Sequence, residues 1–457
     1  MKNSNAFQRK TELRSVFLFV SKCLNVALMA LPFSLSWHWF YAEKIVAPFF
    51  LKGNLTLIGL YAFLYALLAH LYKGYAIPFS RVSELVYSQS LAAVLSDFVL
   101  FIVTALLARR YVSVWPSLLA LGSQVIISAL WSFFTHKLYF SVHPPLRAVF
   151  IRDENEHGNL SKELKKAEDR FQLIEEISIA EYLREPERYL EEAEAVFLTD
   201  TRHRGRDKVI KDCVSADISL YLLPSISDAL IFGARPSHLF YRPLVEITSY
   251  NPSPPYLFVK RCMDIFISLL ALSILWPLMT VVALLIRRDG GPIFYRQARL
   301  TKGGKVFQVI KFRSMTVNAE SDGIARLSSG QNDSRVTPIG RVIRRLRIDE
   351  LPQLLNILRG DMSIVGPRPE RPELAAEYEK TLPEFSFRLR AKAGLTGYAQ
   401  VYGKYNTMPY EKLLMDLQYM AHAGLLTDLK IIFATVKVLF IPESTDGVEI
   451  QKDASVF

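Results

Sequence analysis

Cysteine is scarce in this chain: Cys23, Cys213 and Cys262 lie far apart in 457 residues. An odd count without metal-ligand spacing excludes a disulfide scaffold and a zinc module, and it fits a reducing compartment. The three thiols read as buried small hydrophobes. Internal repeats and low-complexity tracts are missing, which excludes solenoids and long disordered segments. A small-residue cleavage site is missing too. Lys2, Arg9, Lys10 and Arg14 precede the first apolar run as in a signal peptide, but more such runs follow, so the first reads as a retained span.

What is present is hydrophobic and basic. Apolar residues make up 51%, mean hydropathy is +0.18 and the formal net charge is +11. A basic balance suits nucleic acid, anionic lipid headgroups or phosphorylated substrates. Aromatics at 12% beside long apolar runs favour the membrane over nucleic acid. Four runs, at 16–40, 55–71, 85–107 and 114–134, approach the roughly 20 residues needed to cross a bilayer. Trp37, Trp39, Tyr41, Tyr72, Tyr75, Tyr111 and Trp115 gather at their ends as interfacial belts do. Asp97 stands inside the third run, either as a functional acid or as a helix–helix hydrogen bond. The excess of Lys and Arg on one side places both ends of this region inside.

After Pro144 and Pro145 the chain becomes charged. Short β-rich runs at 147–151, 195–199 and 220–223 alternate with polar helical stretches at 161–170 and 179–193. That alternation predicts a small parallel α/β sheet. It resembles a nucleotide fold, yet the segment after the first strand has one glycine, Gly158, and no dinucleotide fingerprint. A structural or regulatory role therefore outweighs cofactor binding. Asn251 to Pro255 reads as a linker.

A fifth apolar stretch, at 263–286, is flanked by Lys260 and Arg261 before it and Arg287 and Arg288 after it. Pro277 removes one backbone donor in mid-segment and should break the helix. The residues alone leave two readings open, a fifth span or a hairpin that enters and leaves on one face.

The last domain carries the chemistry. Strands at 293–295 and 305–312 flank a Gly303–Gly304 turn and deliver Arg296, Arg299, Lys311 and Arg313. Basic groups on rigid strands suit a diphosphate. Arg341, Arg344 and Arg345 share one helical face and suit lipid headgroups. Asp349 and Glu350 then open a helix whose apolar face is Leu351, Leu354, Leu355 and Leu358 and whose end is Gly360. Carboxylates at a helix start are often no more than caps. Here a basic hairpin precedes them, and Arg368 follows between Pro367 and Pro369, its backbone fixed by both. A carboxylate can attack phosphorus, and Mg²⁺, which favours one or two carboxylates plus phosphate oxygens, would offset the charge repulsion.

KFRSM, RIDELPQLLNILRGDMSIVGPRPE and AGLTGYAQVYGKY, in that order, resemble the bacterial polyprenyl-phosphate sugar-1-phosphate transferases, the large monotopic phosphoglycosyl transferases that initiate exopolysaccharide, capsule or O-antigen assembly. The resemblance implies a membrane α/β protein in three parts. These are four transmembrane helices (1–143), a degenerate nucleotide-fold domain with its linker (144–255) and a membrane-associated catalytic domain (256–457). It makes 260–288 a re-entrant helix broken at Pro277, with Trp276 where the family has serine. It puts the catalytic pair on Asp349 and Glu350, with Asp349 also meeting Mg²⁺, and substrate contacts on Lys311, Arg313, Arg368, Arg390 and Asp416. The implied partners are a UDP-sugar, polyprenyl phosphate, the bilayer and a second copy in a homodimer, with no nucleic acid. The implied location is the bacterial inner membrane, multi-pass, with the catalytic domain on the cytoplasmic face. Tyr398, Tyr402 and Tyr405 are candidates for stacking on uracil or for packing, and His422 reads as structural. The competing reading is a non-catalytic scaffold of a polysaccharide assembly complex.

Overall fold

The computed structural model describes residues 2–108, 111–152, 160–165, 167–199, 205–239, 241–247, 250–288, 290–316, 335–403 and 407–439. The chain divides into two compact units, Met1–Pro224 and Ser225–Phe457.

The first unit opens with four long helices: α1 (Lys2–Ser36, continued by a π-turn at Trp37–Tyr41), α2 (Leu51–Leu71), α3 (Val82–Ala108) and α4 (Trp115–Val142). Each contains a stretch long and apolar enough to cross a membrane. Their patterning is inverted relative to a soluble bundle. On α3 the buried stripe includes Ser88, Gln89, Ser96, Asp97 and Thr104, while Phe98, Ile102 and Leu106 face outward. Lipid accepts the apolar face, so the interior is where polar groups find partners. Gln89 accepts from Asn25 at 3.2 Å and Ser128 at 3.0 Å, Tyr65 donates to Asn25, and Gln124 donates to Tyr61 at 2.7 Å. Asp97 is buried, with Oδ2 lacking a hydrogen-bond partner among the described residues.

The expected aromatic belt is only partly present. Trp39, Tyr111 and Trp115 are exposed, but Trp37, Tyr41 and Tyr72 pack inside. Their polar tips explain some of this, since Trp37 donates to Asn54 and Tyr41 to the Ser113 carbonyl. Of the cysteines only Cys213 is buried; Cys23 lies exposed on α1.

The same unit holds a four-stranded parallel sheet. Its elements run β1 (Leu146–Arg152), α5 (Leu160–Lys165), β2 (Phe171–Ser178), α6 (Ile179–Arg184), α7 (Pro186–Glu192), β3 (Ala195–Leu198), α8 (Arg206–Ser215) and β4 (Ser219–Leu222). The strand order is β2-β1-β3-β4, all parallel. Period-two alternation builds a core on each face. Val149, Ile151, Val196 and Leu198 pack with Tyr182, Val209 and Cys213, while Ala148, Phe150, Ala195 and Phe197 pack with Leu164. The parallel sheet is as expected, with β2 an addition to the three anticipated strands. Gly158 lies outside the described residues.

The second unit begins with α9 (Ile226–Phe232) and the hairpin β5 (Arg235–Leu239) and β6 (Arg242–Glu246). Helix α10 (Pro254–Arg287) is the fifth helix apolar enough to cross a membrane, and it exposes Phe266, Leu269, Ile274 and Trp276, together with Cys262. Pro277 does not interrupt it, contrary to expectation: helix continues through the proline. Proline removes one donor, which costs the Ser273 carbonyl its helical partner, a single bond out of the ladder of a 34-residue helix. Ser273 donates to the Leu270 carbonyl and Thr280 to that of Trp276, both at 2.9 Å.

The remaining elements are short. They comprise β7 (Phe294–Leu300), β8 (Val306–Phe312), α11 (Pro338–Arg345), α12 (Gln353–Arg359), β9 (Ser363–Val365), α13 (Pro372–Thr381), β10 (Gly394–Thr396), α14 (Tyr398–Tyr402), α15 (Pro409–Ala421) and α16 (Leu425–Leu439). One core, built on Val309, Leu354, Ile357, Ile364, Phe385, Leu413 and Leu417, holds them together.

Both ends of α10 pack on this unit. Near its start, Lys260 donates to Asp428 at 2.7 Å, Arg261 caps α12 by donating to the Ile357 and Leu358 carbonyls, and Asp264 accepts from Ser363 and the Ile364 N–H. At its other end, Val282 and Ile286 pack against Phe312 and Ile343.

Candidate active site

The hairpin β7–β8 is antiparallel, with Tyr295 opposite Lys311. Asn356 of α12, fully buried, fixes the hairpin to the helix: it accepts from the Ile310 N–H at 3.0 Å and donates to the Gln308 carbonyl at 2.8 Å. Lys311 therefore projects from a strand locked to the helix that follows the acidic pair. That pair does not sit in α12 itself, as its spacing suggested. It occupies a separate 3-10 turn, Ile348–Glu350, with Pro352 at the start of α12 and Gly360 closing it at φ 91°. Arg347 enters the turn left-handed, at φ 56°. For a residue with a Cβ this costs on the order of 1 kcal/mol, and it turns the chain sharply between α11 and the carboxylates.

The two acids have unequal surroundings. Glu350 Oε1 accepts from Lys311 Nζ at 2.8 Å and from Arg368 Nη2 at 3.3 Å, and Arg347 Nη1 stands 4.0 Å from Oε2. Burial would push the Glu350 carboxyl up, but Lys311, Arg368 and Arg347 overcome it and hold the group well below the usual carboxylate range. Asp349 is 9% exposed, and among the described residues its carboxylate makes no hydrogen bond or ion pair. Burial, and then the charge of Glu350, raise it to about 6 against the pull of Lys311, Arg344 and Arg347. Two neighbouring carboxylates are thus driven apart: one neutralised by cations, the other bare and more basic.

Arg368 follows β9, whose parallel neighbour β10 brings two chain segments close together. A Cβ at Gly366 would lie 2.2 Å from the Lys392 carbonyl, so only glycine fits there. The Arg368 guanidinium gains proton affinity chiefly from Glu350.

Lys311, Asp349, Glu350 and Arg368 are thereby brought together. The other expected substrate contacts are not. Arg313 is buried and donates to the Ile286 carbonyl at the end of α10, at 3.1 Å. Arg390 lies over the Phe387 ring at 4.4 Å. Asp416 is buried as the counter-ion of Arg388, 2.7 Å away. Tyr398 and Tyr402 pack on each other with ring centres 4.5 Å apart, and Tyr405 lies outside the described residues. His422 is exposed and its Nδ1 is 3.1 Å from the Gln418 carbonyl.

Arg388 carries no assignment in the sequence reading, and Arg347 reads there only as one more cation of the basic run before Asp349, suited to lipid headgroups. A signal for Arg388 existed: Phe385, Arg388 and Ala391 recur every third residue, and all three are buried along the 3-10 segment Pro383–Arg390 and its cap. The approach of Arg347 to Glu350 had no such signal, because it follows from a backbone angle.

Comparison with known proteins covers this part of the chain. A family model described as Bacterial sugar transferase matches residues 255–442. A UDP-N-acetylgalactosamine-undecaprenyl-phosphate N-acetylgalactosaminephosphotransferase from Aeromonas hydrophila is 36% identical over 237 residues, 51% of this chain and 55% of the relative. A UDP-glucose:undecaprenyl-phosphate glucose-1-phosphate transferase from Caulobacter vibrioides is 36% identical over 245 residues, 51% of this chain and 90% of the relative. A protein of that same name from Escherichia coli is 34% identical over 235 residues, half of each chain. The match spans about half the length of the Aeromonas and Escherichia proteins. With most of the Caulobacter protein covered at that identity, the chain belongs to the bacterial sugar transferase family.

Proposed function

We propose that this protein transfers a sugar-1-phosphate from a UDP-sugar to polyprenyl phosphate, releasing UMP and forming a polyprenyl diphosphate sugar. The observation that carries this reading is the polarised acid pair: Lys311, Arg347 and Arg368 converge on Glu350, while Asp349 beside it keeps a bare, more basic carboxylate. The names of the relatives agree, each being a phosphotransferase or phosphate transferase acting with undecaprenyl phosphate.

Asp349 attacks the β-phosphorus of the UDP-sugar. The bond from that phosphorus to the bridging oxygen breaks, and UMP departs with the electron pair. An oxygen of polyprenyl phosphate then attacks the same phosphorus and releases the Asp349 carboxylate. Arg368 and Lys311 hold Glu350 and offer remaining donors to the diphosphate oxygens. No group of three or more His, Cys, Asp or Glu gathers among the described residues, so the protein there offers no full metal cage. Mg²⁺ would be held by Asp349 together with the substrate phosphates, and it would neutralise charge on the diphosphate.

In this reading α10 bends at Pro277 without losing its helical winding, so that it dips into the bilayer and returns to the face it left, the cytoplasmic face of a bacterial inner membrane. Support comes from its ends, Lys260 to Asp264 and Val282 to Ile286, which pack on elements of one unit, while its middle is exposed and apolar. The same contacts tie the site to the lipid surface. Arg261 caps α12, which follows the acid pair, and Ile286 packs on Phe312 beside Lys311.

The test is UMP release from a panel of UDP-sugars by the full chain in lipid with Mg²⁺ and polyprenyl phosphate. Release that needs the lipid acceptor and is lost in Asp349→Asn is expected, and it names the sugar. Release of UDP instead of UMP would overturn the phosphotransfer.

A further inference from the structure

The loop Gly366–Glu370 presents Arg368, the cation that reaches Glu350. Two of its five residues, Pro367 and Pro369, have no N–H, so the loop is held from outside chiefly through its carbonyl groups. Four consecutive carbonyls are held. Pro367 accepts from the Gly394 N–H at 2.9 Å and Glu370 from the Leu300 N–H at 3.0 Å. Between them, Arg368 accepts from Arg388 Nη2 at 3.0 Å and Pro369 from Arg299 Nη1 at 3.1 Å.

Arg388 is itself fixed on several sides. Asp416 Oδ2 is 2.7 Å from Nη2, Glu370 Oε1 is 3.5 Å from Nη1, and the guanidinium lies 4.8 Å from the Phe385 ring centre. Only 3% of its surface is exposed. A buried arginine spread over two carboxylates, a ring and a carbonyl has little left for a substrate. What it can do is define where the Arg368 backbone stands. Arg299 acts alongside, with Glu370 Oε2 at 3.9 Å from its Nη1.

We infer that Arg388 is a positioning residue: anchored by Asp416 and assisted by Arg299, it clamps the proline-rich loop so that Arg368 meets Glu350 and the donor phosphate. The role rests on the reaction proposed above for its consequence, but not for its geometry. Asp416 serves the reaction through Arg388, without contact to substrate.

A double-mutant cycle tests the consequence. Arg388→Gln should lower lipid-dependent UMP release about 10- to 100-fold, the scale of a displacement of about 1 Å at a reacting group. In a chain already carrying Arg368→Gln the same change should cost less than about 2-fold, because residues acting through one another are not additive. Equal factors in both backgrounds would overturn the inference, since a general loss of folded protein or a separate substrate contact would multiply. Should Arg388→Gln not fold, Arg299→Lys enters the same cycle with the same criterion.

The clamp is also read without the reaction. The Nη–H resonances of Arg368, assigned by their loss in Arg368→Lys, should be protected from water exchange by the bond to Glu350 in the intact chain and lose protection in Arg388→Gln or Arg299→Lys. An unmoved resonance overturns the clamp even if UMP is released. A moved resonance without UMP release in any chain upholds the clamp and sinks the proposed reaction.

Discussion

The helical bundle of the first unit and the catalytic elements of the second both bury polar side chains, but they bury different kinds. Inside the bundle the partners are chiefly amides and hydroxyls: Asn25, Gln89, Tyr65, Ser128, Gln124 and Tyr61. Inside the second unit ions join such neutral groups as Asn356: Lys260 with Asp428, Arg388 with Asp416 and Glu370, and Glu350 with Lys311 and Arg368. Neutral hydrogen bonds can set the register of helices in lipid without the large desolvation cost of a charge. Ion pairs carry that cost, and they are weak evidence for stability. The cluster on Glu350, beside a bare Asp349, fits a role in holding charge for an anionic substrate.

The largest expected effect comes from Asp349→Asn. Transfer should fall by about 10⁴-fold or more, since the proposed nucleophile is gone. Stability should rise. The folded carboxyl lies near 6, above its ordinary 3.8, so between those values the folded chain binds more protons than the unfolded one. Stability from this group therefore falls as pH rises through that window, and at neutral pH the wild type carries a penalty of roughly 1–3 kcal/mol that asparagine removes. Denaturant unfolding of both chains at pH 4 and pH 7.5 checks this. A variant equally stable or less stable at pH 7.5 would mean that Asp349 is not strained by its site.

Glu350→Gln should act in the opposite direction on stability. It removes the carboxylate that Lys311, Arg347 and Arg368 share, leaving Asp349 and, for Arg368, Glu370 as the nearby negative charges, and breaking a buried pair from one side costs about 3–5 kcal/mol. The wild-type contribution exists above the unfolded value near 4.5 and is lost as pH falls below it, because the folded carboxyl is depressed. Adjacent acids with opposite signs of stability change would confirm that the pair is polarised. The same sign for both would erase the distinction.

Lys260→Met probes an ion pair away from the acids. Lys260 reaches Asp428 and Tyr419, and Tyr256 also donates to Asp428. The change leaves Asp428 with two phenols, and should destabilise the second unit by about 3 kcal/mol. Transfer per folded molecule should fall several-fold as well, because the start of α10 also caps α12 through Arg261. Activity per folded molecule equal to wild type would separate the membrane helix from the site.

The sequence exposed the long-range plan better than the local contacts. The four apolar helices, the parallel sheet and the residues Lys311, Asp349, Glu350 and Arg368 follow from hydropathy, alternation and motif. Strand β2 escaped because Gln172, Glu175 and Glu176 break its alternation, which an edge strand tolerates. Pro277 was expected to break α10, but it removes one bond from a 34-residue ladder, and the helix runs on through it. Arg388 and Arg390 are two residues apart, and only the 3-10 winding decides that the first turns inward to Asp416 while the second lies over Phe387. Arg313 reads as a phosphate ligand by composition, yet it ends as a cap on α10.

The smallest effect should come from the neutral network. From α3, Gln89 touches two other helices and a loop: Asn25 on α1, Ser128 on α4 and the Gly74 carbonyl, to which it donates at 2.8 Å. Gln89→Leu removes all of these at a buried site, yet side-chain hydrogen bonds inside membranes average only about 0.6 kcal/mol each and reach about 1.7. The expected loss is therefore roughly 1–2 kcal/mol, below that of either ion-pair variant, despite the number of partners. Transfer per folded molecule should stay within about 2-fold, since this network belongs to the other unit. Steady-state UMP release and unfolding in a lipid-like detergent give both numbers on one sample. A loss of transfer larger than the loss of folded protein would mean that the bundle takes part in the reaction, and the division between neutral scaffold and charged machinery would fall.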